Sequence, residues 1–270
     1  MGTSPQEVIT KLVTFSSDYG PTDEYVGVCR LVIAGIAPEV RIVDLVHGIR
    51  GVRAGATLLR QSLPFAPTTA VHLAVVDPGV GTQRRAVVIQ TNAGALLVGP
   101  DNGLLPPAAD ALGGAVAAHE LTEERYQLAP LSSTFHGRDV FAPAAAHLAL
   151  GVTPEAFGPA VDIGDLVRLR PAHVDVSTGK LTADVLRVDW YGNLQLAATD
   201  VDLATADFGD ELSVSNGAES FDARLGRTFA DGEPGALVVY IDSGGHVAVA
   251  CNGSSARELL GDPAAVTITS

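Results

Sequence analysis

Residues 12–76 alternate between short apolar runs and amphipathic segments, and this alternation limits the folds that are open to the chain. Residues 12–16, 41–46 and 70–76 are apolar runs that predict strands. Between them, residues 25–36 and 52–63 carry apolar side chains at helical spacing. The order strand–helix–strand–helix–strand is typical of an α/β fold with a mainly parallel sheet. We also expect Thr22 or Asp23 to cap the first helix.

The pattern changes after residue 150. Residues 86–89 and 96–99 predict a hairpin-like continuation of the sheet, and residues 140–150 predict a further helix. Residues 151–171 are rich in Pro and Gly. Short predicted strands with turn signals follow, at residues 181–188, 194–197, 211–214, 220–224, 236–241, 246–251 and 265–269. We therefore predict an α/β N-terminal domain, residues 1–165, and a smaller all-β barrel or sandwich as C-terminal domain, residues 166–270.

The composition excludes several classes of protein. A net charge of −14 argues against a nucleic-acid partner, because a phosphate backbone requires a basic surface. No run approaches the ~18 uninterrupted apolar residues of a membrane span, and the first residues lack the features of a signal peptide. The 2 cysteines, Cys29 and Cys251, form no metal or redox motif and are expected to be buried free thiols. We expect a cytoplasmic protein without a membrane partner.

Three polar side chains follow the first three predicted strands, namely Asp18, His47 and Asp77. Ligands of parallel sheets bind at the carboxyl ends of strands, so these side chains predict a site at one edge of the sheet. Asp77 begins a tight loop with Pro and two Gly that ends at Arg84 and Arg85. Asp77, Arg84 and His136 could form a compact charged trio in which the guanidinium holds the carboxylate ionised.

Other interpretations of the same residues stay open. Each strand-end side chain could be a capping or turn residue. Asp77 and an arginine could also form an ion pair that only holds the loop together. We expect Arg85 to have such a structural role. A metal site built from His47, Asp77 and His136 is conceivable, but it lacks the short-range ligand pairs of known sites. Gly79 and Gly81 imitate a dinucleotide fingerprint, yet they lead into a strand instead of a helix.

The C-terminal half contains a candidate binding surface for a purine. Residues 189–193 place the aromatic side chains of Trp190 and Tyr191 beside the amide of Asn193. Stacking together with hydrogen bonds to the ring edge suits a purine, and Phe229 could supply a second face. Asp18, an acceptor when ionised, could bind the two hydroxyl groups of a ribose. Ordinary core packing is the alternative for each aromatic side chain.

The chain resembles a known family at many short motifs in the same order. The motifs are residues 15–20, 44–47, 77–82 with Arg84, 99–105, 134–138, Asp189 with Gly192 and Asn193, residues 228–231 and residues 243–245. The family is that of the adenosylmethionine-dependent hydroxide adenosyltransferases, the adenosylmethionine hydrolases, which also includes fluorinating and chlorinating enzymes. The resemblance implies an α/β N-terminal domain, a β-barrel C-terminal domain and a homotrimer with active sites between subunits.

The resemblance also implies roles for individual residues. Asp77, Arg84 and His136 correspond to the catalytic set of the hydrolytic members, and Asp18 to the residue that binds the ribose hydroxyls. Asn193 would hold adenine, with Tyr191 and Phe229 nearby. The amino-acid end of the substrate would meet Asp189 and Ser243, and Phe135 is also expected among the substrate-binding residues. No cofactor and no metal are implied, because S-adenosyl-L-methionine is the substrate.

The nucleophile is predicted from the residue at position 77. Fluorinating relatives have Tyr and Thr where this chain has Asp77 and Val80, and Tyr-Ser where it has His136 and Gly137. An ionised carboxylate repels a halide but can accept a proton from water, so the expected reaction is in-line attack of water or hydroxide on the ribose 5′ carbon. The products would be adenosine and L-methionine. Either His136 is the general base, or Arg84 stabilises hydroxide while His136 and Asp77 orient it.

Two alternative functions belong to different classes. A chlorinase would use chloride as the nucleophile. A sensor would bind adenosine or adenosylmethionine without turnover.

Overall fold

The computed structural model describes residues 12–270, and the chain divides into two compact units, one ending at Leu169 and one beginning at Arg170. A compact unit is defined by its internal contacts, whereas a domain is a part that folds alone, so the domain boundary between residues 165 and 166 stays a prediction.

The first unit contains a 6-stranded sheet of order β2-β1-β3-β5-β4-β6. Its strands are Leu12–Ser17 (β1), Arg41–Val46 (β2), Val71–Val75 (β3), Ala86–Thr91 (β4), Leu96–Pro100 (β5) and Ala115–Glu120 (β6). The pairs β1–β2, β1–β3 and β3–β5 are parallel, and β4 pairs antiparallel with β5 and with β6. The mainly parallel sheet and the hairpin of β4 and β5 confirm the sequence-based prediction.

Helices cover both faces of this sheet. They are Tyr25–Ile36 (α1), Val52–Ser62 (α2), Pro106–Ala111 (α3) and Ala142–Ala149 (α4). Alternate residues of β3 and its continuation point to opposite faces. Leu73 and Val75 pack in the cluster that contains residues of α1 and α4, while Ala74 and Val76 pack in the cluster that contains residues of α2 and α3. The result is a three-layer α/β unit whose central strand is buried on both sides.

Three details of the first unit differ from the predictions. Helix α1 begins with Glu24 as N-cap and has no side-chain cap, so the expected cap at Thr22 or Asp23 is wrong. A π-helical turn, Gly137–Phe141, precedes α4, where the sequence predicted a continuous helix. Helix α3 and strand β6 were not predicted, because α3 is short and starts with two prolines and β6 is rich in alanine, which has low strand propensity.

The second unit is a closed β-barrel. Its strands are Val174–Ser177 (β7), Lys180–Val188 (β8), Leu194–Thr199 (β9), Glu211–Ser215 (β10), Ser220–Leu225 (β11), Leu237–Ile241 (β12), His246–Cys251 (β13) and Ala265–Thr269 (β14). The sheet has the order β14-β10-β11-β12-β13-β9-β8-β7, and an additional pairing of β14 with β8 closes the ring. Leu181, Leu196, Val214 and Val249 are fully buried in its core. The predicted barrel is confirmed; β7 and two short helices, Asp200–Ala206 (α5) and Ala256–Leu260 (α6), were not predicted.

The helices of residues 12–270 include none with the length and apolar character needed to cross a bilayer.

Candidate active site

The carboxyl ends of β1 and β3 place Asp18 and Asp77 side by side. The two strands are parallel and in register, with Ser17 opposite Val75. Asp18 N–H donates to the Val75 carbonyl at 3.0 Å, and Asp77 N–H donates to Asp18 Oδ2 at 2.9 Å. Burial raises the pKa of Asp18, and the hydrogen bond from the Asp77 backbone opposes this shift. The predicted sheet-edge geometry is therefore present for these two carboxyl groups.

His47, the third strand-end residue, has a different environment. Its Nδ1 lies 2.7 Å from Ser17 Oγ, and its Nε2 lies 3.5 Å from Asp44 Oδ1. Burial lowers the pKa of His47, and Asp44 opposes this effect. The metal site considered for His47, Asp77 and His136 is not formed, since within residues 12–270 no three His, Cys, Asp or Glu side chains are grouped to hold a metal ion.

A tight loop connects Asp77 to Arg84 and folds the guanidinium back onto the carboxylate. Arg84 Nε lies 3.1 Å from Asp77 Oδ1 and 3.0 Å from Oδ2, and Nη2 lies 2.6 Å from Oδ2. Both side chains are nearly buried, at 10% and 4% exposed. Gly81 has φ +77°, and a Cβ there would collide with the Ser133 carbonyl oxygen. The loop therefore requires glycine at this position for both conformation and space.

His136 is the third member of this group. Arg84 Nη2 lies 2.8 Å from His136 Nδ1. A guanidinium can only donate, so Nδ1 must accept, and the proton of the neutral imidazole is then on Nε2. Burial lowers the pKa of His136, and the positive charge of Arg84 acts in the same direction. The structure thus brings Asp77, Arg84 and His136 into one hydrogen-bonded chain, with Arg84 between the other two.

Aromatic side chains pack around this group. Phe135 makes edge contacts with Tyr19 and Tyr25, with ring centroids 5.8 Å and 5.0 Å apart, and the Arg138 guanidinium lies 5.0 Å from its centroid. A Cβ at Gly137 would meet the Tyr19 hydroxyl, so this glycine permits the close approach of Tyr19. π-Helical turns such as the one that starts here are frequent at functional sites.

The neighbouring residue Arg85 has a separate partner. Arg85 Nε and Nη2 donate to Asp101 Oδ2 at 2.9 Å and 2.7 Å, and Nη2 also donates to the Asp165 carbonyl. Asp101 Oδ1 accepts from Val167 N–H at 2.8 Å. This geometry fits the structural role expected for Arg85.

The second unit contains a cavity of about 750 Å³, which is lined by residues of β8, β9, β12 and β13 and of the loops that connect the barrel strands. All of the predicted binding residues of this unit line it, namely Asp189, Tyr191, Asn193, Phe229 and Ser243. Trp190, the other aromatic of the loop, is 95% exposed and lies outside the lining.

The loop after β8 is fixed by its own aspartate. Asp189 Oδ1 accepts from the N–H groups of Tyr191 and Asn193, each at 2.9 Å, and Oδ2 accepts from Asn193 Nδ2 at 2.8 Å. Because its NH₂ group faces Asp189, Asn193 can offer its Oδ1 to a ligand. Phe229 packs edge-on against Tyr240, with ring centroids 5.3 Å apart, and remains 48% exposed.

Several further lining residues were not predicted, including Arg187, Gln195, Tyr240 and Asp242. Arg187 and Asp189 are two residues apart, as are Asn193 and Gln195, which is the spacing that puts strand side chains on one face. That alternation was a usable signal in the sequence. Burial raises the pKa of Tyr240 to about 12, and the charges of Asp189 and Asp242 contribute in the same direction.

Comparisons with known proteins identify the class. Residues 13–158 match the family described as SAM hydroxide adenosyltransferase N-terminal domain, and residues 183–265 match the corresponding C-terminal domain. The chain belongs to the SAM hydroxide adenosyltransferase family.

Individual relatives agree with this assignment. The chain is 50% identical over 253 residues to a protein of Salinispora arenicola (strain CNS-205) named (R)-S-adenosyl-L-methionine hydrolase, covering 93% of this chain and 94% of that protein. It is 29% identical over 288 residues to a fluorinase of Actinoplanes sp. (strain N902-109), covering 96% of each. A crystal structure of an uncharacterized conserved protein from Thermotoga maritima matches with a TM-score of 0.85 and 33% identity, covering 96% of this chain and 100% of that one.

Proposed function

We propose that this protein hydrolyses S-adenosyl-L-methionine to adenosine and L-methionine. The observation that carries the proposal is the hydrogen-bonded chain of Asp77, Arg84 and His136 beside Asp18. The names of the relatives at high identity support the same reaction. The substrate is consumed, and no cofactor takes part.

In this mechanism Asp77 selects water as the nucleophile. Water attacks the ribose 5′ carbon in line with the departing sulfur, one C–O bond forms and one C–S bond breaks, and methionine leaves as a neutral thioether. The water oxygen loses one proton, and the carboxylate of Asp77 is the base that accepts it before release to solvent. Attack by an anionic oxygen on the 5′ carbon neutralises the sulfonium charge, and attack by water with proton transfer to Asp77 spreads it, so exclusion of bulk water favours the step.

His136 acts as a hydrogen-bond partner in this proposal and not as the base. Its Nδ1 accepts from Arg84, so its proton lies on Nε2, which cannot take up a second proton while the ring stays neutral. A lowered pKa keeps the ring neutral near pH 7. The imidazole therefore donates to the attacking oxygen, and Arg84 supplies positive charge that stabilises a developing hydroxide.

The remaining predicted residues have binding roles. Asp18 accepts from the ribose hydroxyls, Asn193 and Phe229 take the adenine with Tyr191, and Asp189 and Ser243 meet the amino-acid end. The cavity in the second unit, with its aromatic and amide lining, supports the assignment of these residues. Phe135, the neighbour of His136 in the chain, belongs to the proposed substrate-binding residues, and its ring packs edge-on against Tyr19 and Tyr25.

The epimer at sulfur is part of the proposal. The relative from Salinispora arenicola and that from Salinispora tropica are both named for (R)-S-adenosyl-L-methionine. We infer that this chain acts on the (R) sulfonium epimer in preference to (S). Separate incubation with each epimer, followed by chromatography for adenosine, checks this preference.

The proposed assembly is a homotrimer with active sites between subunits. Strand β2 is the first strand of the sheet order, and its Val43 and Leu45 are 39% and 37% exposed. Leu31 of α1 is 73% exposed. An exposed sheet edge with apolar side chains is a surface that a second copy can cover. Sedimentation equilibrium tests the trimer, and a monomer that retains full activity would contradict sites between subunits.

A reducing, cytoplasmic location is proposed as well, because Cys29 and Cys251 are both free thiols. Fractionation of cells with an antibody to the protein tests this location.

The decisive experiment is incubation of the purified protein with (R)-S-adenosyl-L-methionine in ¹⁸O-labelled water. The expected product is adenosine with one ¹⁸O at the 5′ position. Absence of adenosine at high enzyme, with tight binding of substrate, would point instead to a sensor. Added chloride that yields a 5′-chlorinated nucleoside would point to the chlorinase and would contradict the argument from Asp77.

A further inference from the structure

The cavity in the second unit contains two charged side chains, Arg187 and Asp242, to which the proposed function gives no role. Its charged lining residues are Arg187, Asp189 and Asp242, one cation and two anions. The amino-acid end of adenosylmethionine, together with its sulfonium, carries the opposite set, which is one carboxylate, one ammonium and one sulfonium. Asp189 and Ser243 offer no positive charge, so a carboxylate bound near them lacks a cationic partner unless Arg187 provides one.

A buried amide holds Arg187 in place. Arg187 Nε donates to Gln195 Oε1 at 3.1 Å, and Gln195 Nε2 donates to Asp242 Oδ2 through a short hydrogen bond. Gln195 is only 4% exposed, and both ends of its amide are used. Asp242 is fixed in turn, because its Oδ1 accepts from the N–H groups of Gly244 and His246 at 2.8 Å and 3.0 Å.

This arrangement leaves the fork of the guanidinium for a ligand. Within residues 12–270, the side chain of Arg187 makes a hydrogen bond only through Nε. Its two terminal nitrogens are not among the buried polar atoms that lack a partner, so they remain accessible to a ligand. Paired guanidinium nitrogens match the two oxygens of a carboxylate, and a pre-oriented arginine loses less side-chain entropy on binding. Gln195 and Asp242 thus keep Arg187 in a position where it can bind a carboxylate in the cavity.

We propose that Arg187 binds the α-carboxylate of the methionine end of the substrate, with Gln195 and Asp242 as its positioning residues. The inference rests on the proposed function and deepens it. Arg187 would make the enzyme selective for sulfonium nucleosides that retain the carboxylate. It would discriminate against the decarboxylated sulfonium, which has the same adenosine, sulfur and amine but no anion.

The test is a cycle of two enzymes and two substrates. Wild type and Arg187→Gln are assayed with (R)-S-adenosyl-L-methionine and with its decarboxylated analogue of the same configuration at sulfur, and kcat/KM is measured from adenosine release. For wild type, kcat/KM should be roughly 10- to 100-fold lower with the analogue. For Arg187→Gln, kcat/KM should fall by a similar factor with the full substrate and change by less than about threefold with the analogue.

Controls separate binding of the carboxylate from damage to the cavity. Arg224→Gln removes the same charge from an exposed position on β11 and should leave both values unchanged. The Kd of adenosine, which lacks the amino-acid end, should be the same for wild type and Arg187→Gln. Arg187→Lys should restore part of the discrimination, because it keeps the charge but loses the fork.

The outcomes are distinguishable. If Arg187→Gln lowers kcat/KM equally for both substrates, or for neither, the inference is wrong. Equal kcat/KM of wild type for the two substrates would overturn it without any variant. If wild type releases no adenosine at all, the proposed function fails, and calorimetric Kd values for the two ligands then test the role of Arg187 by itself.

Discussion

The charged trio of the first unit and the cavity of the second unit differ in how their charged side chains are used. In the trio, Asp77 and Arg84 are nearly buried, and Arg84 is hydrogen-bonded to both Asp77 and His136. These hydrogen bonds fix the orientation of the three side chains and the tautomer of His136. In the cavity, Asp189 and Asp242 are satisfied by loop N–H groups and amides, and about 750 Å³ stays open. The first arrangement suits a reaction that needs oriented charge, and the second suits recognition of a large ligand.

This comparison predicts that variants of the first region change turnover and variants of the second change affinity. The largest effect is expected for Asp77→Asn, which keeps the shape of the side chain but removes its charge and basicity. Loss of a general base typically lowers rate by about 10²- to 10⁴-fold. We expect kcat to fall in this range with KM nearly unchanged, measured by initial rates of adenosine formation.

Asp101→Asn is the matched control, because Asp101 also pairs with an arginine of the same loop, Arg85. This variant should lower the urea midpoint of unfolding, since it leaves the guanidinium without its carboxylate, while kcat of the folded protein stays within about twofold. Full turnover in Asp77→Asn, or a loss in Asp101→Asn as large as in Asp77→Asn, would remove the distinction between catalytic and structural pairs.

The next effect concerns a buried histidine of the first unit, His72, and the pH dependence of the free energy of unfolding. His72 is 1% exposed, its Nδ1 lies 2.8 Å from Thr14 Oγ1, and burial lowers its pKa to about 4. Above pH 6.5 the ring is neutral in both the folded and the unfolded state. As pH falls from 6.5 to about 4, the unfolded chain takes up this proton and the folded protein does not, so the free energy of unfolding falls by about 3 kcal/mol.

Urea titrations of wild type and His72→Gln at several pH values measure this contribution as a difference. His47, His136 and His147 also have a lowered pKa, and they act equally in both proteins. The decline in stability between pH 6.5 and 4 should be smaller in the variant. Parallel declines would show that His72 is not the buried neutral group described.

A moderate effect is expected for the amide of Asn193, which is proposed to bind adenine. Asn193→Ala removes the Oδ1 acceptor offered to the purine edge and also one partner of Asp189. Loss of one or two hydrogen bonds of this kind corresponds to about a 10- to 30-fold increase in KM, with a small change in kcat. Asn216→Ala, in the β10–β11 connection, is the control, because Asn216 bonds to the Leu260 carbonyl and does not line the cavity. A selective loss of kcat in Asn193→Ala would place the residue in the chemical step.

The smallest effect separates the two roles of His136. Below the lowered pKa of His136 the ring is protonated and can no longer accept from Arg84, so kcat/KM should rise with pH, about tenfold per unit, and level off below pH 6.5. His136→Gln keeps an amide oxygen for Arg84 and an NH₂ donor. It should retain about a tenth of wild-type kcat and lose this acid limb. If His136→Gln is as inactive as His136→Ala, the imidazole is the base.

The sequence predicted the chemically specific part of the site because that part depends on local order. Asp18 and Asp77 each follow an apolar run, and parallel pairing of adjacent strands makes their ends meet. The loop from Asp77 to Arg84 is short, so its ion pair could be expected from spacing alone. Arg187, Gln195 and Asp242 were missed because their contacts join β8, β9 and the residue after β12, and these contacts depend on how the strands are arranged in the folded barrel.

The sequence by itself determined the order of strands and helices and the acidic and polar strand ends, including Asp77, the carboxylate proposed to favour water over a halide. These features follow from residue type and periodicity, which act over a few neighbouring residues. Only the tertiary structure decided which nitrogen of His136 carries the proton, which carboxylate pairs with Arg85, and which arginine lines the cavity. Each of these depends on a partner far away in the chain, and burial in the folded protein gives that partner its effect.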